Sequence, residues 1–183
     1  METTAHLILS TLAKNLASPA RVRLFGGAAL ILGYGATRFT EDADLLLDDE
    51  EFGLLAEAGL ERAVESTNDE LAPRGLYVSH IFGPEQEILT PSWRESCRIV
   101  PGFGQLTVEV LGPLDLITSK LGRGDEQDLA DMEYLIERER LTPGAIRDAV
   151  ARARVPEIFR EVFPAARVRL EGLLRRKEMD PPL

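Results

Sequence analysis

The 183-residue sequence has one cysteine, Cys97. A lone cysteine excludes an internal disulfide and any cysteine-rich metal site. The two histidines, His6 and His80, are far apart and form no zinc spacing. No run of about 18 apolar residues occurs, so no membrane-spanning helix is expected. Repeats and low-complexity stretches are absent. The opening METTAHLILSTLAKNLAS lacks a basic start before its apolar part and predicts an amphipathic helix rather than a signal peptide. Basic residues are outnumbered, 21 against 31 acidic, for a net charge of −10. Such a surface is a poor general sink for nucleic-acid phosphates, although LLRRK near the C-terminus is a local basic candidate. What is present, 44% hydrophobic and 28% charged residues, is the mixture of a globular protein. The cytoplasm is the expected compartment.

Apolar positions at helical spacing from about Thr3 to Ala17 predict a first helix, broken at Ser18-Pro19. Val22 to Phe25 reads as a short strand, followed by Gly26-Gly27 and a short buried helix ended by Gly33 or Gly35. Ala43 to Leu47 reads as a second strand. Phe52 to Leu71 reads as a helix with Leu54, Leu55, Ala58 and Val64 on its inner face. Leu76–Phe82, about Glu87–Leu89, Arg94–Val100 and Gln105–Leu111 are expected strands between Gly-Pro, Thr-Pro and Pro-Gly turns. From Leu114 onward the chain reads as helical, in stretches Leu114–Leu121, Asp125–Arg138, Thr142–Arg152 and about Pro156–Lys177, with Pro164 kinking or splitting the last. The stripe Ala166, Leu170, Leu173 and Leu174 is a packing face, within the chain or in a dimer. The order predicts one α+β domain with a mixed sheet over about 20–112 and a helical part over about 113–178.

Two local patterns carry chemistry. At Phe25-Gly26-Gly27-Ala28-Ala29 a strand turns into a helix whose first N–H groups face outward with no Cβ in the way, which suits a phosphate. The plain alternative is a tight turn. At Asp42-Ala43-Asp44 two carboxylates two residues apart on a strand share one face. Their repulsion is relieved by a cation between them, and Mg²⁺ prefers oxygen ligands. The plain alternative is an exposed acidic turn. Leu45-Leu46-Leu47 directly after the pair argues against it, because it sets the carboxylates at the mouth of a buried sheet.

Together, the strand, the Gly-Gly helix start and the Asp-x-Asp strand resemble the DNA polymerase β-like nucleotidyltransferase superfamily. The string GGAALILGYGATRFTEDADLLL is similar to small bacterial predicted nucleotidyltransferases of the abortive-infection toxin type, through Gly26, Gly27, Ala29, Arg38, Thr40, Asp42 and Asp44. The resemblance implies Mg²⁺ or Mn²⁺ on Asp42 and Asp44, and a nucleoside triphosphate seated by Gly26, Gly27, Arg38 and Thr40. It also implies a phosphate-contacting Lys120 and a metal- or acceptor-positioning Asp128 beside Arg123, Asp125 and Asp131. Asp125 and Asp128 read equally as a helix cap. Active members of the superfamily add a third carboxylate on a later strand. Glu109 in LTVEV is the candidate for that catalytic and metal-binding role, or it is a solvated face residue.

The implied activity is metal-dependent transfer of a nucleotidyl group from a nucleoside triphosphate. The acceptor would be RNA, a protein or a small molecule, in a toxin–antitoxin or phage-defence setting, with a protein partner or a homodimer. The alternative is a member of the fold without turnover, acting as a nucleotide-binding or antitoxin-like regulatory partner. A third acid within about 4–5 Å of both aspartates favours the enzyme, and its absence favours the binding protein.

Overall fold

The computed structural model describes residues 3–48, 50, 51, 53 and 59–179, and for His80 the backbone alone. The chain divides into two compact units. The first comprises Met1–Pro84 and Cys97–Leu111, the second Glu85–Ser96 and Gly112–Leu183. Glu85–Ser96, expected with the strands, therefore belongs with the helical unit.

Unit 1 holds helices α1 (Thr4–Asn15), α2 (Gly26–Tyr34) and α3 (Leu60–Leu71) and strands β1 (Ala20–Phe25), β2 (Asp42–Leu46), β3 (Tyr77–Phe82), β4 (Arg98–Val100) and β5 (Leu106–Val110). The strands form one sheet in the order β3-β2-β1-β5-β4. β1 runs antiparallel to β2 and parallel to β5, β2 is parallel to β3, and β4 is antiparallel to β5, so the sheet is mixed as expected. Register fixes the faces. Leu24 lies opposite Leu45 and Val110, and Val22 opposite Val108, which gives one apolar face. These residues are buried with Ile8, Leu9 and Leu12 of α1 and Ala29 and Leu30 of α2. A fully buried leucine contributes roughly 1.5–3 kcal/mol, so this face carries the unit's cohesion. The alternate positions Arg21, Arg23, Asp42, Asp44 and Glu109 share the opposite face.

The caps follow local chemistry. Thr3 caps α1 by accepting from the His6 N–H, and Gly35 ends α2 with φ 74°, a left-handed turn that glycine adopts without strain. Of the inner face expected for the third helix, Leu54, Leu55 and Ala58 lie outside the described residues. Val64 is half-buried, and the buried positions are Leu60, Ala63, Thr67 and Leu71.

Unit 2 holds α4 (Pro113–Ser119), α5 (Glu126–Glu139), α6 (Pro143–Arg152) and α7 (Phe163–Met179). Two expected strands are shortened or missing. Glu87–Leu89 makes only an isolated bridge from Leu89 to Arg154. Arg94–Val100 is a strand only from Arg98, because the segment before it is held in turns: Asp115 of α4 accepts from the Thr90 N–H at 2.8 Å and from Ser96 Oγ at 3.0 Å. The stretch from about Pro156 to Lys177 is split near Pro164, as expected. Pro164 sits in the first turn of α7, where a missing N–H costs no helical bond, after a separate turn at Glu157–Phe159. Ala166, Leu170, Leu173 and Leu174 are buried within the chain, so the stripe is an internal packing face.

Candidate active site

Unit 1 brings the glycine bend and the aspartate pair together. Phe25 pairs with Asp44 across β1 and β2, so Asp44 stands level with the residue that precedes Gly26. Gly26 has φ +64°, and a Cβ built there would overlap Asp44 Oδ2. Glycine is required both by the backbone angle and by the approach of the carboxylate. A Cβ at Gly27 would lie 2.9 Å from Arg38 Nη2 and 2.9 Å from Thr40 Oγ1. Gly26, Gly27, Arg38, Thr40 and Asp44 thus converge on the first turn of α2. Phe25 at the N-cap supplies no side-chain cap and the first turn holds no acidic residue, a helix start whose positive end suits an anion.

The aspartates are held by hydroxyls. Thr40 Oγ1 donates to Asp42 Oδ1 at 3.0 Å, and Ser79 Oγ donates to Asp44 Oδ1 at 2.5 Å. Both carboxylates are half-buried. Their field is felt next door on β3, where Tyr77 pairs with Asp42. The charge of Asp42, then partial burial and the charges of Glu41 and Asp44, hold the Tyr77 phenol above its ordinary pKa. The local potential is therefore negative, as a cation site requires.

Glu109 differs from its expected place beside the aspartates. It lies on β5 opposite Arg23, with β1 between it and β2. Its carboxylate accepts from Arg23 Nε at 2.9 Å and pairs with Arg21 at 3.2 Å, and it is 8% exposed. Arg23 also pairs with Glu51. Burial opposes the charge on Arg23, but the hydrogen bond and charge of Glu51 and the charge of Glu109 outweigh it and raise the guanidinium pKa further. Alternation along LTVEV predicts a face residue, and the arginines on β1 make it a buried, neutralised one. Among the described residues no group of three His, Cys, Asp or Glu side chains is placed to hold a metal.

Lys120, Asp128 and Asp131 meet in unit 2. Lys120 is 5% exposed, and its Nζ donates to Asp128 Oδ1 at 3.1 Å and to Asp131 Oδ2 at 2.6 Å. Arg123 adds a second cation on Asp128 at 3.2 Å. Asp125 is the N-cap of α5 and accepts from the Asp128 N–H at 2.8 Å. Lys120 therefore has carboxylate partners of its own, where a phosphate partner was expected.

Two residues near the aspartates, and one between the motif residues Arg38 and Thr40, escaped the reading of the sequence. Ser79 and Tyr77 reach the site only through the pairing of β3 with β2. Phe39 stands 62% exposed between Arg38 and Thr40. An aromatic residue inside the polar run Arg38–Asp42 was the one available signal.

Residues 7–142 match the sequence model of a family described as "Nucleotidyltransferase of unknown function (DUF6036)". The chain belongs to this family. The matched span covers well over half of the chain, including all five strands and the Lys120–Asp131 cluster. As a member of a nucleotidyltransferase family the chain is expected to take a nucleoside triphosphate. No curated protein matches it. No helix among the described residues is long and apolar enough to cross a membrane.

Proposed function

We propose that unit 1 binds a nucleoside triphosphate with one divalent cation where Asp44 approaches Gly26 and, with the family match weighed above the missing third acid, transfers its nucleotidyl group to an acceptor. The observation that carries this is the convergence of Asp44 on Gly26 and of Arg38 and Thr40 on Gly27. The donor set fits one hard cation: two carboxylates on one strand face, each with Oδ1 tied to a neutral hydroxyl. It does not fit a pair of ions held by three acids. Asp42 and Asp44 would hold Mg²⁺ or Mn²⁺, which when bound offsets phosphate charge and draws electrons from the α-phosphorus.

The remaining roles fall to the chain. The N–H groups at Gly26 and Gly27 receive phosphate oxygens, and Arg38 supplies a planar cation beside them. Thr40 and Ser79 fix the carboxylate rotamers. Phe39 and Tyr77 offer aromatic surface for the base. The acceptor oxygen forms a bond to the α-phosphorus as the bond to the β-phosphate oxygen breaks. Pyrophosphate leaves and the acceptor proton passes to water. Glu109 and Lys120, paired elsewhere, are left out of this reading, and so is Asp128. A toxin–antitoxin or phage-defence role is proposed on the resemblance of GGAALILGYGATRFTEDADLLL alone.

A second reading, nucleotide binding without transfer, is favoured by one observation: Glu109 is committed to Arg23 and Arg21, and no other acid completes the pair among the described residues. Incubation with each labelled triphosphate, Mg²⁺ or Mn²⁺ and a total RNA or protein extract separates the two. Transfer that disappears in Asp44→Ala supports the enzyme. Binding without transfer in the unaltered protein supports the second reading. Transfer that persists in Asp44→Ala removes Asp44 from the mechanism.

A further inference from the structure

The helices α6 and α7 lie beyond the family match, which ends at residue 142. Residues 143–179 contain nine of the chain's 21 basic residues and only five of its 31 acidic ones, in a protein whose net charge is −10. Eight of those nine are arginine. Part of this charge is consumed locally. Arg147 pairs with Glu171 and Glu178, Arg175 with Glu171, and Lys177 with Glu133 and Glu137. These pairs use up the acids of α7 and leave other arginines over. Arg152, Arg167, Arg169 and Arg176 are exposed, and among the described residues none of the four has an acidic partner. Arg152 donates only to the Asp148 carbonyl and Arg169 to the Gly124 carbonyl. Arg169 and Arg176 are two helical turns apart on one face of α7, about 10 Å along the axis. Arg167 lines a separate groove of about 260 Å³ between α6 and α7, together with Arg147 and the acids Asp148 and Glu171.

We infer that the α6–α7 surface binds the phosphate backbone of RNA, which makes RNA the acceptor class of the transfer proposed above and rests on that reading. Guanidinium groups are the side chains best matched to phosphate, being planar, permanently charged and able to donate two parallel hydrogen bonds. The rest of the chain is net acidic, so these arginines supply the attraction for a long polyanion. Ile158 and Val168 are also exposed, which makes an acidic protein the competing occupant.

The test is fluorescence anisotropy of the full chain with a labelled single-stranded RNA of about 20 nucleotides, over a salt series. The expected result is salt-dependent binding. In the double variant Arg169→Gln with Arg176→Gln, affinity falls at least fivefold and the log–log salt slope shallows by about 1.4, at about 0.7 per lost phosphate contact on a single strand. Arg62→Gln with Arg74→Gln, an equal charge change at exposed positions of unit 1, leaves the slope unchanged. Polyglutamate serves as the acidic-protein probe. No RNA binding, equal binding by the two double variants, or preference for polyglutamate overturns the inference. Triphosphate binding, measured separately and abolished by Asp44→Asn, tells the two failures apart. RNA binding without triphosphate binding sinks the reading of unit 1. Triphosphate binding without RNA binding sinks only the RNA surface.

Discussion

Asp42 and Asp44 stand two apart on a strand, and Asp128 and Asp131 stand three apart on a helix; both spacings put two carboxylates on one face. The first pair accepts from the neutral hydroxyls of Thr40 and Ser79 and is half-buried. The second accepts from Lys120 and Arg123 and is buried. Hydroxyls orient a carboxylate without cancelling its charge, and the field of the first pair still reaches Tyr77. Lys120 and Arg123 together cancel the charge and convert the pair into a buried brace. Spacing alone therefore does not distinguish a cation site from a brace; the partner does.

The contrast is open to attack. The largest expected effect is on stability: Lys120→Met leaves two buried carboxylates without their shared cation and should cost about 3–5 kcal/mol in urea unfolding. A loss below about 1 kcal/mol would show that the brace is not what Lys120 provides. Next is Gly26→Ala, which forces a left-handed residue at a cost of about 1–2 kcal/mol. It also displaces Asp44, so triphosphate affinity should fall further than stability does. Glu109→Gln should weaken folding by roughly 1–3 kcal/mol through its lost charged hydrogen bonds, with Mn²⁺ affinity unchanged. A large loss of Mn²⁺ binding would return Glu109 to the metal site. The smallest effect is spectroscopic. Removing a nearby negative charge favours the phenolate, so Asp42→Asn should lower the Tyr77 pKa more than Asp44→Asn does, in ultraviolet titrations referenced to Tyr77→Phe.

Much of this was legible in the residues. Gly26-Gly27 and Asp42-x-Asp44 are local patterns, and the sheet faces follow from alternation in RVRLF and LTVEV. What sequence could not show was which side chains meet across strands. Ser79 and Tyr77 join the aspartates through the parallel β2–β3 pairing, and Arg23 takes Glu109 through the β1–β5 register. Glu87–Leu89 looked like a strand because its residues are apolar enough, but no neighbouring strand pairs along it. The Asp125 cap was readable from its place three residues before Asp128. The double pairing of Lys120 was not, since it depends on a buried turn after α4.

The most direct test of the central claim is isothermal titration of a non-hydrolysable nucleoside triphosphate with Mg²⁺ into the unaltered chain and into Asp42→Asn with Asp44→Asn. The account predicts cation-dependent binding to the unaltered chain that weakens at least tenfold in the double variant, about 1.4 kcal/mol, with the fold retained. Equal affinity in both proteins would contradict it.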